Sequence, residues 1–417
     1  MACAMIPVCL YFQVHQPWRL RRYNYFDVGR EHRYFDEAAN RDVLRRVCER
    51  SYLPATAMLA RLLERHPRFA VSFSISGCLL EQFAVWAPDA LDAFRRLAAI
   101  SEERVEFLAE TSHHSLAWLA SREEFAEQVD LHRRAVADAF GRTPTVFRNT
   151  ELIYSDALAA FLEERGFRGV LADGVEPLTG PRSPRHVYRA STPKGLPLLL
   201  RDYRLSDDIA YRFSNRSWDE WPLTPEKYDR WISRSEGEVL SLFMDFETFG
   251  EHQRKETGIF EFFEAWVDRH AARRGAEFLT PSRAIETRPH RDLLSAPRTI
   301  SWADEARDLS AWQGNDLQRD ALKRLFALEG RVRASGAPEL QTDFRRLTTS
   351  DHFYYMATKS AGDAEVHEYF SPYDSPYEAY IALMHVLSDL ERRLPRPHRR
   401  AAAPQAGPGR ARAVPRA

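Results

Sequence analysis

The chain has 417 residues, a formal net charge of -1, 44% hydrophobic and 29% charged residues. That composition supplies a sizeable buried core and excludes the strongly basic balance of a nucleic-acid binder. No run approaches the ~20 apolar residues that cross a bilayer, and the opening MACAMIPVCLYFQVHQ lacks the basic segment of a secretory signal.

Cys3, Cys9, Cys48 and Cys78 all lie early in the chain and show no C-x-x-C pairing, so neither a disulfide framework nor a zinc knuckle is expected. A reducing, cytoplasmic setting is the expectation. From residue 1 to 286, short β-branched or aromatic runs alternate with helix-length amphipathic stretches, the pattern of parallel strands joined by crossover helices. The runs are VCLYFQV, FAVSFSI, RVEFLAE, TVFRN, GVLAD, PLLLRDY, VLSLFMD and AEFLT. So many units predict a closed α/β barrel rather than an open sheet.

One connecting helix is legible in detail. In SREEFAEQVDLHRRAVADAFG, Ser121 and Glu124 form a capping box. Phe125, Val129, Val136 and Phe140 recur at helical spacing, and Gly141 supplies the stop. Near residues 288–299 the pattern breaks, and residues 287–395 read as an α-helical bundle that completes the cleft. NDLQRDALKRLFALEGRVRASG opens on Asn315 and Gln318 and closes at Gly336. SPYEAYIALMHVLSDLERRL opens on Ser375, Pro376 and Glu378. Residues 396–417, rich in Arg, Ala, Pro and Gly and without an acid, are expected to form a disordered basic tail.

Polar residues follow the candidate strands: His15 after the first, Glu81 after the second, and Glu110, His113 and His114 after the third. Glu151 follows the fourth; Asp245 and Glu247 end the seventh. One rim of a parallel barrel gathers the loops that leave the strand ends, so these residues converge there. If the strand geometry continues past SLFMD, Asp245 and Glu247 share a face while Phe246 turns away. Burial and a neighbouring carboxylate both disfavour the anion, so one acid of such a pair stays protonated near neutral pH. A protonated acid facing an ionised one is the apparatus for cleaving a glycosidic bond. The bland reading is a strand-end carboxylate acting as a cap or ion-pair partner.

VHQP (14–17), FRNTELIYSD (147–156), LFMDFETFGEHQ (242–253) and EFLTPSRAI (277–285) together resemble glycoside hydrolase family 57, in its α-amylase-like branch. GPRSPRHVYR (180–189), LSDDIAYRFS (205–214), WADEARDLSAWQGNDLQ (302–318) and TSDHFYYM (349–356) extend the resemblance through nearly the whole chain. It implies a (β/α)7 TIM-like barrel followed by an α-helical domain, acting on α-1,4-glucans or maltooligosaccharides with retained configuration and with neither metal nor cofactor. It puts the nucleophile at Glu151 and the general acid/base at Asp245. Sugar-binding roles fall on His15, Glu81, Glu247 and Asp351. His114 is a further candidate for a sugar hydroxyl, and Trp302 and Trp312 for stacking platforms; Trp221 is weaker. Relatives of other specificity carry His-x-His at the first motif, where this chain has Gln13 before His15.

Three rivals stand beside hydrolysis. A metal-dependent polysaccharide deacetylase needs several neutral histidines and a carboxylate, yet none of the fourteen histidines forms H-x-H or H-x-x-x-H. A silent glucan-binding protein has no need of both Glu151 and Asp245. A 4-α-glucanotransferase shares the covalent intermediate and differs in whether water or a sugar hydroxyl intercepts it.

Overall fold

The computed structural model describes residues 5–359 and 371–395; the predicted tail lies outside them. All eight predicted strands form: β1 (Val8–Val14), β2 (Val71–Ile75), β3 (Val105–Phe107), β4 (Val146–Arg148), β5 (Gly169–Asp173), β7 (Pro197–Arg201), β8 (Leu240–Asp245) and the two-residue β9 (Phe278–Leu279). Two short strands add to these, β6 (Val187–Ala190) and β10 (His290–Leu294).

Seven strands close a ring. β1 pairs in parallel with β2 and β8, β2 with β3, β4 with β5, β5 with β7, and β7 with β8. Between β3 and β4 the ring is completed just past the end of β3: Ala109 N–H donates to the Val146 carbonyl at 2.9 Å, and Arg148 N–H to that of Ala109 at 2.8 Å. Strand β6 runs antiparallel along β7 and carries β10 outside the ring, while β9 hangs from β1.

The period of two along each strand sorts side chains between two surroundings. On β1, Leu10 and Phe12 pack outward with the crossover helices, whereas Cys9 and Tyr11 join Leu171, Leu199 and Phe243 inside the barrel. Tyr11 and Phe243, paired in register, meet edge to face at 4.9 Å.

Helix 122–140 starts and stops where predicted. Ser121 Oγ accepts from the Glu124 N–H, and Gly141 takes the left-handed φ of 71° that a side chain would disfavour. The expected reciprocal half of the capping box is corrected, because the Glu124 carboxylate turns instead to Arg333 and Arg345 of the later helices, at 2.7 and 2.9 Å. The Ser121 N–H is already taken by the Ala117 carbonyl at 2.8 Å, whereas the two half-buried guanidiniums offer the carboxylate charge-assisted bonds. The segment opened by Asn315 has its full capping box but is two helices, Asp316–Ala327 and Glu329–Ser335, before Gly336 at φ 61°. Ser375 caps helix Pro376–Arg393. These helices share one apolar cluster with the barrel's outer face, including Phe125, Phe147, Leu325 and Leu383.

Candidate active site

The last inward position of each ring strand, or of its direct continuation, is polar. Going round, these are Gln13, Ser74, Glu110, Arg148, Asp173, Arg201 and Asp245, and all but Asp245 are buried. From β3 to β8 the charges alternate in sign, so each carboxylate has a guanidinium as its neighbour in the ring. Glu110 accepts from Ser74 Oγ at 2.8 Å, from Gln13 Nε2 at 3.4 Å and from the His114 ring at 2.8 Å. Asp173 and Arg201 lie 3.6 Å apart.

Above this ring opens a cleft of about 870 Å³ whose lining includes Gln13, His15, His114, Arg148, Glu151, Asp245, Glu247, Trp302 and Asp351. Glu151 reaches it by an unusual backbone route. After β4 the chain enters a tight turn with Glu151 at φ 54° and Leu152 at φ 47°. Left-handed non-glycine residues cost of order 1–3 kcal/mol each, and such strain gathers at functional sites. A strap from the C-terminal third holds the turn: Tyr154 and Ile300 exchange backbone hydrogen bonds at 2.9 Å, and Trp302 N–H donates to the Glu151 carbonyl at 3.2 Å.

The Glu151 carboxylate is held from three sides. Trp302 Nε1–H donates to Oε2 at 2.8 Å, and His114 Nε2 and Ser350 Oγ approach Oε1 at 3.2 and 3.3 Å. His114, itself at φ 49°, bridges Glu151 and Glu110. Burial alone would lower the His114 pKa, but these two carboxylates raise it to about 9, so it is an imidazolium at neutral pH. Burial would likewise raise Glu110; His114, His132 and Arg148 instead hold it down to about 2. His15 stacks on His114 at 4.1 Å between centroids, and burial together with that cation lowers its own pKa.

On the opposite wall, Asp245 ends β8 beside Gln13 of β1. The expected extended continuation is corrected: Phe246–Thr248 form a 3-10 turn, which still delivers Glu247 to the cleft while Phe246 packs on Phe12 at 5.3 Å. Of the pair, Glu247 is the acid pushed up, to about 8, by burial and then by the charge of Asp245. Tyr52 OH and the His15 N–H donate to it. His15 Nδ1 meets Ser76 Oγ at 2.7 Å and Nε2 meets Asp351 at 3.1 Å, tying the barrel to helix Ser350–Tyr354.

Two expected sugar-binding residues are not brought to the cleft. Trp312 as a stacking platform is corrected: its ring is 1% exposed and belongs to the apolar cluster beneath the helices. Glu81 pairs with Arg346 at 3.1 Å and lies 3.8 Å from His113, a buried histidine outside the cleft lining. Trp221, 42% exposed, is also absent from that lining. Trp302 lies in the cleft, but its N–H is committed to Glu151 and its ring to the Arg148 and Arg201 guanidiniums, 5.3 and 5.4 Å from the centroid. Sequence reasoning missed Arg148, Arg201 and Ser350. The first two carry a signal, a charge at the last inward position of an apolar run; Ser350 carries none.

Among the described residues no group of three His, Cys, Asp or Glu is arranged to hold a metal ion, and no helix is long and apolar enough to cross a membrane. The sequence model of glycosyl hydrolase family 57 matches residues 9–297. A Methanocaldococcus jannaschii protein named "Putative alpha-amylase" is 38% identical over 392 residues, covering 91% of this chain and 83% of that one. Among solved structures, the 4-alpha-glucanotransferase of Thermococcus litoralis superposes with a TM-score of 0.67 at 16% identity, over 94% of this chain and 60% of that one. A branching enzyme of Thermococcus kodakaraensis, solved with glucose, gives 0.68 at 14% identity over 93% and 90%. The alpha-amylase AmyC of Thermotoga maritima gives 0.57 at 12% identity over 93% of each chain.

Proposed function

The chain belongs to glycosyl hydrolase family 57, and from that premise we propose that it is a retaining glycosidase of the α-amylase type, cleaving α-1,4-glucosidic bonds. One observation carries the reading: Glu151 and Asp245, far apart in sequence, line one cleft at the C-terminal mouth of the barrel, and Glu151 is anchored there by three donors.

Glu151 attacks the anomeric carbon while Asp245, entering this step as the carboxylic acid, protonates the departing glycosidic oxygen, leaving a covalent glycosyl-enzyme and an Asp245 carboxylate. Asp245 then takes a proton from water, which displaces Glu151 from the same carbon. Two inversions give retention, and the chemistry calls for carboxyl groups ~5–5.5 Å apart. The cationic His114 ring and the Trp302 N–H hold one Glu151 oxygen each, fixing the orientation of the carboxylate. His15, Glu247 and Asp351 are positioned to bond sugar hydroxyls. In this reading residues 1–286 are the catalytic barrel, 287–395 complete its cleft, and the partner is an α-glucan in the cytoplasm. The unpaired, buried Cys9, Cys48 and Cys78 support a reducing compartment.

The test is to incubate the full chain with a defined maltooligosaccharide and follow product length and anomeric configuration by NMR. Shorter α-configured products support hydrolysis with retention; β-configured products overturn it. Products longer than the substrate mark the glucanotransferase, a reading the likeness to such a fold keeps in view. Unchanged turnover in Glu151→Gln and Asp245→Asn would put the chemistry elsewhere.

A further inference from the structure

The polar ring contains two buried guanidiniums, and the protein treats them differently. Arg201 is 2% exposed, and its Nε donates to the Phe243 carbonyl at 2.7 Å, its Nη2 to Asp207, with Asp173 3.6 Å from Nη1. Its donors are largely spent on the scaffold. Arg148 is fully buried and lines the cleft, yet none of Nε, Nη1 and Nη2 has a hydrogen-bond partner among the described residues. Buried charged donors left unmade are among the most costly features a fold can carry, and they call for an explanation.

The neighbours of Arg148 balance its charge without using its hydrogen bonds. Glu110 is 3.9 Å from Nη1, too far for a hydrogen bond, and its oxygens are already taken by Ser74, Gln13 and His114. Trp302 covers the guanidinium from 5.3 Å. Arg148 thus lines the cleft with its charge already compensated, its fork of N–H groups lying just beneath the surface without acceptors among the described residues. Such a fork fits two neighbouring neutral oxygens, as in the vicinal hydroxyls of a pyranose, better than an anion, which would add negative charge beside Glu110, Glu151 and Asp245. Arg148 also stands three residues before Glu151, at the floor on which the reacting ring would rest.

We infer that Arg148 is a substrate-binding and specificity-determining residue, left unpaired by the protein so that its guanidinium donates to adjacent hydroxyls of the sugar ring presented to Glu151. The inference rests on the glucan reading and deepens it. An α-linked ring lacking one of those hydroxyls leaves the fork unsatisfied again and is rejected, whereas loss of a hydroxyl pointing elsewhere is tolerated.

The test is a double-mutant cycle between the enzyme and its substrate, using full-length wild type, Arg148→Met and Arg148→Lys with a maltooligosaccharide and its 2-deoxy and 3-deoxy analogues in the reacting ring. For the parent substrate, Arg148→Met should lower kcat/KM roughly 10- to 100-fold, the range for hydrogen bonds to a charged group. Arg148→Lys, which keeps the charge and loses the fork, should recover only part of this. The decisive readout is non-additivity: at least one deoxy analogue, poor with wild type, should lose little or nothing more with Arg148→Met. If every analogue falls by the same factor in variant and wild type, Arg148 does not touch the sugar and the inference is overturned. Should the methionine variant fail to fold, as judged by circular dichroism, the lysine variant carries the same cycle. Wild type that turns over no maltooligosaccharide removes the glucan reading and this inference together; active wild type with additive losses removes the inference alone.

Discussion

At the N-terminal end of the barrel, Arg104 donates to the carbonyls of Leu63 and His66, Arg142 donates to those of Ala98 and Val105, and the Glu106 carboxylate accepts from both the N–H and the hydroxyl of Ser282. At the C-terminal end, Arg148 has no such partner among the described residues, and five non-glycine residues (His114, Glu151, Leu152, Asp304 and Arg307) sit at positive φ. There, against the opposing effect of burial, two carboxylates push the His114 pKa up to about 9, while burial and then the charge of Asp245 push Glu247 up to about 8. The depression at the first end is the larger, about 1910 Å³ against 870 Å³ for the cleft. Size therefore does not mark the reactive end. One mouth satisfies its polar groups internally and stiffens the scaffold; the other holds donors and strain in reserve for a ligand.

Substitutions at the two ends should separate rate from stability. The largest effect is expected for Glu151→Gln, which removes the proposed nucleophile and should cost at least as much as Asp245→Asn. That second change should lower kcat by about 10²- to 10⁴-fold, the usual worth of a positioned acid or base. Both variants should unfold within a few degrees of wild type by calorimetry, and a large loss of stability with rate preserved would reverse the comparison. Next, Ser282→Ala at the N-terminal end strips one hydrogen bond from the half-buried Glu106 carboxylate. It should cost about 1.5–3 kcal/mol in urea unfolding and leave kcat and KM unchanged; a changed kcat would mean that this mouth also serves the chemistry.

A further test sharpens the contrast through pH. Folding raises the Glu247 pKa from about 4.5 to about 8, so across that window the native state holds a proton that the unfolded chain releases. Stability from this group therefore declines as pH rises from about 4.5 and levels off above about 8. Glu247→Gln removes the decline. The variant should gain on wild type in denaturant midpoint between those pH values while binding maltooligosaccharide more weakly. Parallel stability curves would show that burial and Asp245 do not raise Glu247 on folding.

The barrel was legible because each strand is a short apolar run bounded by turn residues and separated from the next by a helix-length segment. β10 was not, since His290 to Asp292 and Leu293 are all exposed and show no alternation to read. β6, in RHVYRA, is four residues long and lies beside β7 rather than within the ring. In the cleft, periodicity located strand ends but could not say which polar residues face a ligand: Asp245 ends β8, whereas Glu81 lies beyond β2 in the helix Gly77–Trp86 and turns to Arg346. The family resemblance brought in Asp351 and Trp302, whose partners lie 336 and 151 residues away. It also brought in Trp312, which the structure buries. An indole beside acidic residues suits a stacking platform and a domain junction equally well, and only packing decides between them.

The clamp on Glu151 has a consequence for how the enzyme comes into being. Trp302 and Ser350 both emerge from the ribosome after every strand of the ring has been translated. Until that late stretch folds back across the mouth, the Glu151 carboxylate has neither its indole nor its hydroxyl anchor. The anchored geometry of Glu151 thus depends on residues translated after the ring that presents it.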